Sequence, residues 1–506
     1  MSGQRDAGGT DDLRRAARAA ADLAVDHLAG IRARPVWQPM TETARTWLRD
    51  QPLPESGRPL DDLLAEIEAR VLPYPMGNGH PRFFGWVNSP PEPAGVLVEP
   101  IAAAMNPSCA GGDHAAVALE RSVVRWLAGL LGYPGPPGGG LLTSGASVAT
   151  ITSLAAARHR AAASDGWDVR ADGLAGRPAF VLYVSAEGHS CLRKAAELLG
   201  IGARGVRVVP VDEEFRMDPA ALRAALARDR ADGLRPFCIA ATAGTVNSGA
   251  IDPLDLLADI AAEQDLWLHV DGAYGALGIL DPALAPRFAG LGRADAVVLD
   301  PHKWLGVPVD CGCLLVREPA GLREAFSLVP SYLRDDSADP GGHGAPRGHP
   351  VPRWPGPPRD ADGPGWFSEY GLEQTRPFRA LRTWATMSHL GRSGIADLVT
   401  RTVGMARMLA GMVDRADDLE RIAPAVTSIV AFRYRPPGRP DEQLDAINQA
   451  IPPAVQRRGR AFLTGTRLAG REALRACLIH PGTTSGDLAI LLDEVRAAGE
   501  AFNPYP

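Results

Sequence analysis

Short segments that are apolar at every position alternate with helical segments from about residue 117 onward, and this alternation constrains the fold most strongly. A strand without polar positions is typical of a parallel sheet that helices cover on both faces. Alternation of strand and helix is typical of α/β proteins, so we expect an α/β fold with a mainly parallel central sheet. The predicted strands are 180–184, 206–211, 237–241, two segments ending at Val270 and Leu299, and 313–316; the predicted helices are 118–131 and 146–160, with two more capped near Asp218-Pro219 and Asp252-Pro253.

Two of these strands are followed by ionisable residues. The apolar segment 266–270 leads directly to Asp271, and the apolar segment 296–299 is followed closely by Lys303. A buried strand that ends on an ionisable residue is costly unless that residue is paired. A carboxylate and an amine at one edge of a sheet suit pyridoxal phosphate (PLP), because its aldehyde forms a Schiff base with a lysine and its ring nitrogen needs an acid partner. Asp271 and Lys303 are therefore candidate cofactor residues.

A glycine-rich turn precedes the predicted helix 146–160. It has the sequence GGGLLTSGAS from Gly138 to Ser147. Backbone N–H groups at a helix N-terminus, with the hydroxyls of Ser144 and Ser147, can bind an anion. The turn lacks the lysine of a P-loop and the spacing of a dinucleotide-binding motif. It predicts a cup for a cofactor phosphate, and a plain tight turn between two elements is the alternative.

Two further loops follow predicted strand ends. His189 lies shortly after strand 180–184, where its imidazole could stack on a pyridine ring, although loop histidines are often structural. Thr242 and Thr245 follow strand 237–241, and their hydroxyls could bond the cofactor or orient Asp271. Ordinary turn chemistry is the alternative for both threonines.

The composition argues against several classes of function. The 506 residues include 45% hydrophobic and 22% charged residues, with a formal net charge of -6, which is typical of an ordinary globular protein. No basic cluster indicates nucleic acid, and no apolar run reaches the roughly 20 residues that span a bilayer. Six cysteines are too few for a disulfide framework, and the pair Cys311 and Cys313 lacks further ligands for a metal. Without a visible secretory signal, we expect a cytoplasmic protein with reduced cysteines and no metal site.

The two ends of the chain differ from the α/β region. Segments 11–30 and 60–71 predict separate helices with little core of their own, for which a partner subunit is a plausible surface. Segment 336–365 contains 8 prolines and 7 glycines, so it should lack regular structure. The helices 378–390 and 394–413, followed by strands 429–433 and 476–480, predict a small α+β domain.

Taken in order, the motifs resemble those of the group II pyridoxal-phosphate decarboxylases, the family of aromatic-L-amino-acid and glutamate decarboxylases. The resemblance rests on the segments 80–84 (HPRFF), 143–147 (TSGAS), His189, 244–252, 269–274 (HVDGAY) and 300–304 (DPHKW). It implies PLP fold type I, which is aspartate-aminotransferase-like, and a homodimer with active sites at the subunit interface. The implied parts are a helical arm exchanged between subunits (1–85), a large PLP-binding domain (86–385) and a small C-terminal α+β domain (386–506).

The resemblance also implies roles for individual residues. Lys303 matches the Schiff-base lysine, Asp271 the partner of the pyridine nitrogen, and His189 the stacking histidine. Asp300 stands where many relatives have an asparagine that bonds the phosphate, and a carboxylate there repels a phosphate unless it is screened or turned away. The other candidate cofactor residues are Ala146 and Ser147 in the phosphate cup, Thr245, Ala273 under the ring, and His302 beside the lysine.

Tyr332 matches the catalytic-loop tyrosine of the family, whose role is to help protonate the Cα carbanion after CO2 leaves. Relatives with phenylalanine there resemble aldehyde synthases, so the hydroxyl favours decarboxylation to an amine over oxidative decarboxylation and deamination to an aldehyde. A catalytically silent family member is another alternative, which the presence of Lys303, Asp271 and His189 argues against.

The sequence constrains the substrate less. Phe83, Phe84 and Trp86 could line an aromatic pocket or simply pack in a core. Segment 106–114 departs from the pattern of the aromatic decarboxylases, and His114 in it could reach a polar side chain or cap the next helix. We expect an aromatic L-amino acid as the substrate, with acidic and diamino acids as alternatives.

Overall fold

The computed structural model describes residues 7–135, 139–328 and 365–502. Its helices are α1 (Ala7–Ala29), α2 (Glu42–Arg49), α3 (Leu60–Glu66), α4 (Pro93–Met105), α5 (Ala115–Leu131), α6 (Ala146–Ser164), α7 (Val169–Asp172), α8 (Cys191–Leu198), α9 (Pro219–Ala231), α10 (Leu254–Glu263), α11 (Ala320–Phe326), α12 (Arg379–Asp414), α13 (Asp441–Arg458) and α14 (Ser485–Ala501). Its strands are β1 (Gly140–Thr143), β2 (Phe180–Ser185), β3 (Val206–Val209), β4 (Arg235–Thr242), β5 (Trp267–Asp271), β6 (Ala296–Leu299), β7 (Gly312–Val316), β8 (Leu419–Arg421), β9 (Ile429–Tyr434), β10 (Thr464–Leu468) and β11 (Arg471–Cys477).

The chain divides into two compact units. The larger is Pro91–Thr400, and the smaller combines Met1–Pro90 with Arg401–Pro506. The N-terminal residues therefore belong to the same unit as the C-terminal α+β region. The domain boundaries that the resemblance implies, after residues 85 and 385, remain predictions.

The larger unit contains a seven-stranded sheet in the order β1-β7-β6-β5-β4-β2-β3. The pairs from β3 to β6 are parallel, whereas β7 is antiparallel to both of its neighbours. The expected α/β fold with a mainly parallel sheet is confirmed. β7 is buried at every position although it is antiparallel, because burial on both faces depends on covering elements and not on strand direction.

Helix α6 packs on this sheet through small residues. It begins at Ala146, as the sequence predicts, and its buried positions are mostly alanine, serine and threonine, with Leu154 fully buried. Small side chains let the helix approach the strands closely, and they join Leu182, Val298 and Leu314 of the sheet in one core cluster. This packing fixes the N-terminus of α6 against the end of β1.

Two predicted helix caps have different outcomes. Asp218 caps α9 by accepting hydrogen bonds from the backbone N–H groups of Ala220 and Ala221, as expected. The predicted cap of α10 by Asp252 is wrong. The Asp252 carboxylate is fully buried and accepts from the backbone N–H groups of Met217 and Thr242, both at 2.7 Å, so it anchors the end of β4 instead.

The smaller unit has an antiparallel sheet in the order β10-β11-β9-β8. Phe432 and Leu474 on its strands pack with Val455 of α13 and Leu491 of α14 in one core cluster. The last predicted strand, 476–480, lies at 471–477 in the structure, because the apolar segment continues past the end of its pairing with β9.

Helix α12 is interrupted at a glycine. Gly391 has φ 64°, a left-handed conformation that suits glycine, and it separates the two helical stretches that the sequence predicts. Among the described residues, none of the helices combines the length and the apolar character that crossing a membrane requires.

Candidate active site

Several strand ends meet at one edge of the large sheet. Thr242 at the end of β4 pairs with Asp271 at the end of β5, and Asp271 pairs with Val298 near the end of β6. The end of β1 lies at the same edge, because Thr143 pairs with Gly312, the first residue of β7. Ligands of open α/β sheets bind beyond the carboxyl ends of the strands. This edge is therefore the candidate site.

Asp271 is a buried carboxylate on this edge. Its side chain is about 5% exposed, and its Oδ1 accepts a hydrogen bond from the backbone N–H of Ala273 at 3.1 Å. Within the described part of the chain Asp271 makes no ion pair, and the buried hydroxyl of Thr242 beside it has no hydrogen-bond partner there. A buried carboxylate is stable only with a cationic or donating partner, which a protonated pyridine nitrogen would supply.

Lys303 lies in the connection between β6 and β7. Its Nζ lies 2.9 Å from Oδ2 of Asp300, and its side chain is 23% exposed. The chain contains only one other lysine, Lys194, which is exposed on α8. Lys303 is the lysine that lies at this sheet edge, and lysine suits a covalent role because arginine stays protonated and does not act as a nucleophile.

His189 follows β2 at the same edge. Its Nδ1 accepts a hydrogen bond from the backbone N–H of Cys191 at 3.2 Å, so the neutral ring carries its proton on Nε2. The residue is exposed, yet its surroundings still desolvate the ring. This desolvation lowers the pKa of His189; Lys303 acts in the same direction, and Asp271 and Asp300 oppose it. The imidazole is therefore neutral over most of the physiological range.

His302 lies beside the lysine. Its Nδ1 accepts a hydrogen bond from the backbone N–H of Cys311 at 3.1 Å, and its Nε2 lies 3.8 Å from Asp300. Burial lowers the pKa of His302, and the nearby Asp300 opposes that shift. The ring packs between the start of β7 and the N-terminus of α6, where Gly145 is a neighbour.

The predicted phosphate cup contains a carboxylate. Asp300 Oδ1 accepts a hydrogen bond from the backbone N–H of Ala146 at 2.7 Å, at the first residue of α6. Ser147, the next residue, is exposed. Asp300 therefore lies where the N-terminus of the helix attracts negative charge.

Two other candidate residues have defined surroundings. Thr245 is buried, and its hydroxyl bonds Ser248 at 2.8 Å and the backbone N–H of Ala250 at 3.1 Å, which is the turn chemistry considered as its alternative. Ala273 is 9% exposed, and its carbonyl accepts from the backbone N–H of Asp300 at 3.1 Å. This bond links the segment after Asp271 to the segment that carries Lys303.

The aromatic candidates for the substrate pocket belong to the smaller unit. Phe83 stacks on Phe462 with ring centroids 4.6 Å apart, and Phe84 is buried and bonds the Phe462 carbonyl through its backbone. Trp86 is 49% exposed, at 5.3 Å from the same ring. Phe83 and Phe84 therefore pack in a core, and their role in binding a substrate remains a prediction.

Of the two remaining candidates, His114 and Tyr332, only His114 belongs to the described residues. His114 precedes α5 without capping it through its side chain, and its Nε2 lies 3.2 Å from the carbonyl oxygen of Gly111. Tyr332 and most of the Pro/Gly-rich segment, 336–364, lie outside the described residues.

Sequence reasoning missed a buried ion pair that supports the site. Arg376 donates from Nη2 to Glu120 Oε1 at 2.5 Å and from Nη1 to the carbonyl of Cys109 at 2.9 Å. Glu120 also accepts from the backbone N–H of Leu142 in β1, one strand position before the turn that enters α6. The two charged residues are 256 positions apart, so no local pattern could have identified the pair.

Comparisons with known proteins agree with this geometry. The model of the pyridoxal-dependent decarboxylase conserved domain matches residues 42–345. An aromatic-L-amino-acid decarboxylase from Bacillus atrophaeus is 29% identical over 500 residues, 98% of this chain and 97% of that protein. An L-2,4-diaminobutyrate decarboxylase from Rhizobium meliloti (strain 1021) is 32% identical, covering 88% of this chain and 83% of that protein. A crystal structure of Oryza sativa TDC with PLP and tryptamine superposes with a TM-score of 0.87 at 26% identity, covering 99% of this chain and 100% of the other.

Proposed function

Because the chain belongs to the pyridoxal-dependent decarboxylase family, we propose that it converts an aromatic L-amino acid into the corresponding amine and CO2. The family shows that the chain is a PLP-dependent amino-acid decarboxylase; the aromatic substrate is the proposed part. The decarboxylase assignment is supported by the buried carboxylate of Asp271, which forms no ion pair within the described residues, on the same sheet edge as the accessible amine of Lys303. The observation that carries the aromatic substrate is the match to the aromatic-L-amino-acid decarboxylase over nearly the whole chain.

The residues at this edge fit the parts of PLP. Asp271 would hold the proton on the ring nitrogen, and Lys303 would provide the amine that the aldehyde requires. The neutral His189 ring would lie against the pyridine face, and the N-terminus of α6, with Ala146 and Ser147, would hold the phosphate. When bound, PLP supplies an electron sink for the pair left on Cα as CO2 departs.

The protein decides which bond of the substrate breaks. The bond to be cleaved must stand perpendicular to the plane of the ring, so the contacts that orient the substrate select loss of the carboxylate. Exclusion of water from the carboxylate assists its departure. We assign to Tyr332 the delivery of a proton to Cα, which completes the amine. Proton delivery to Cα leaves molecular oxygen less opportunity to react at that carbon, which is the route to the aldehyde.

Similarity to relatives supports an aromatic substrate. The match to the Bacillus atrophaeus aromatic-L-amino-acid decarboxylase extends over nearly the whole of both chains. The somewhat higher identity to the diaminobutyrate decarboxylase keeps a polar substrate as the competing candidate. Segment 106–114, which departs from the aromatic pattern, belongs to the larger unit together with Asp271 and Lys303. It is the part of the chain that would favour the polar alternative.

Exposed apolar stripes support assembly as a homodimer, which we also propose. On α4, Leu97, Ile101 and Met105 are 59%, 54% and 51% exposed and lie on one helix face. Leu60, Leu63, Ile67 and Val71 in and after α3 are exposed in the same way. Each stripe is exposed apolar surface of the kind that indicates an interaction site, and a second copy of the chain would cover it.

The dimer is tested by replacing the stripe on α4. The double variant Leu97→Glu/Ile101→Glu should sediment as a monomer, because two charges would have to be buried in the interface. Leu256→Glu on α10, where a single leucine is 52% exposed, is the matched control and should stay dimeric. A wild-type protein that is monomeric at micromolar concentration would contradict the proposal.

The substrate is tested by mass spectrometry of the products from PLP-loaded protein. The panel should contain L-tryptophan, L-tyrosine, L-phenylalanine, L-glutamate and L-2,4-diaminobutyrate. We expect an amine from one of the aromatic amino acids. An amine only from glutamate or diaminobutyrate would replace the proposed substrate, and an aldehyde with hydrogen peroxide would replace the proposed reaction. Tyr332→Phe should shift the product from amine towards aldehyde, whereas unchanged amine output would remove Tyr332 from the mechanism.

A further inference from the structure

We propose that Asp300 is an internal anion that competes with the cofactor phosphate for the N-terminus of α6, and that it thereby lowers the affinity of the chain for PLP. The inference rests on the use of PLP, which the family shows, and not on the choice of substrate. Asp300 would then limit how much PLP the protein binds, whereas the other residues of the site hold the cofactor.

The carboxylate of Asp300 lies at the N-terminus of α6. Asp300 is buried, with its side chain 4% exposed, and its Oδ1 is 2.7 Å from the backbone nitrogen of Ala146. The exposed N–H groups and the dipole at the start of a helix attract a single anion most strongly at this position. A phosphate group bound at the same helix end would lie next to the carboxylate, and the two negative charges would repel each other.

The same carboxylate also forms an ion pair with Lys303. The other oxygen, Oδ2, lies 2.9 Å from Lys303 Nζ and 3.8 Å from His302 Nε2. One aspartate therefore joins the phosphate cup to the amine that receives the cofactor.

The backbone does not allow Asp300 to move away freely. Its N–H bonds the carbonyl of Ala273, and its own carbonyl accepts from the backbone N–H of Lys303 at 2.9 Å. The side chain can rotate, but the backbone stays at the end of β6. The carboxylate therefore stays close to the helix end, and its competition with the phosphate depends on its negative charge. An asparagine at this position would remove the charge while keeping the shape of the side chain.

The experiment compares PLP with pyridoxal, which has the same ring and aldehyde but no phosphate. Dissociation constants for both are measured by absorbance titration of full-length apoprotein. In Asp300→Asn, PLP should bind at least about tenfold more tightly, while pyridoxal should change by much less. Loss of the contact with Lys303 affects both compounds, whereas only PLP carries the phosphate that the carboxylate repels. Asp281→Asn is the matched control, since Asp281 is also buried and accepts backbone hydrogen bonds, and it should leave both constants unchanged.

The same comparison in the Lys303→Ala variant separates the effect of the Asp300 charge from the effect of the covalent bond to the lysine. In Lys303→Ala the cofactor binds without covalent attachment, so the double variant Lys303→Ala/Asp300→Asn should gain PLP affinity over Lys303→Ala, again more than it gains pyridoxal affinity. Inorganic phosphate should compete with PLP better in the double variant than in Lys303→Ala. An unchanged ratio of PLP to pyridoxal affinity in both backgrounds would overturn the inference, and so would weaker PLP binding after removal of the charge. A wild-type protein that binds no PLP would instead count against the cofactor assignment itself.

Discussion

Arg376 and Glu120 form a fully buried ion pair that is attached to the strand entering the candidate cofactor site. Their side chains are 1% and 0% exposed, and Glu120 also accepts a hydrogen bond from the backbone N–H of Leu142. Arg376 bonds the carbonyl of Cys109 with its other nitrogen. The pair therefore holds β1, and with it the turn before α6, to the segment that precedes α5.

Replacement of Arg376 by methionine should destabilise the protein strongly. The Glu120 carboxylate would remain buried without a cation, at a cost of about 3–5 kcal/mol in unfolding free energy. The change is measured as a lower thermal midpoint at a fixed protein concentration. The double variant Arg376→Met/Glu120→Leu removes both charges and should recover part of the loss. A single variant that melts at the wild-type temperature would show that the pair does not support the fold.

Lys303→Ala should abolish the visible absorbance of lysine-bound cofactor and reduce amine formation by at least about a thousandfold. Because the chain has only two lysines, Lys194→Ala is a complete control, and it should retain both signals. Reduction with borohydride followed by peptide mapping should place the label on Lys303 alone. Label on Lys194, or retained turnover in Lys303→Ala, would contradict the assignment.

His269 should make the protein sensitive to acid. Burial lowers the pKa of His269 to about 4, from 6.5, while its Nδ1 bonds Ser153 at 2.9 Å. Between these values the unfolded chain binds a proton that the folded chain does not, so stability falls as the pH drops from 6.5 to about 4, by roughly 3 kcal/mol in total. In His269→Asn the difference between the thermal midpoints at pH 7.5 and pH 5 should shrink.

The exposed histidine His389, whose side chain is 65% exposed, provides the control for that experiment. His389→Asn should leave the difference between the two midpoints as it is in the wild type. An equal effect of the two substitutions would mean that the acid sensitivity has another origin than the buried imidazole.

Gly111→Ala should disturb the segment that departs from the aromatic decarboxylase pattern. An added Cβ would lie 2.2 Å from the Trp366 ring, so the tryptophan or the backbone must move, at about 1–3 kcal/mol. Gly129→Ala in α5 meets no atom within 4 Å and should stabilise the helix by about 0.5–1 kcal/mol. The two variants should therefore shift the thermal midpoint in opposite directions, and a shift in the same direction would refute the packing argument.

Much of the fold could be predicted because its signals are local. The apolar strands, the Asp218 cap of α9 and the helical break at Gly391 each depend on a few neighbouring residues, and the structure has all three. The cap assigned to Asp252 failed because the carboxylate found partners from two distant segments instead of the adjacent helix.

The sequence by itself determined the alternation of strands and helices and the placement of Asp271 and Lys303 after consecutive strands, because hydrophobic periodicity and strand ends are properties of short segments. Only the tertiary structure decided that Asp300 bonds both Ala146 and Lys303, and that Arg376 neutralises Glu120. Ala146 and Asp300 are separated by 154 positions, and such contacts depend on the order of strands in the sheet and on how backbones pack, which no local pattern contains.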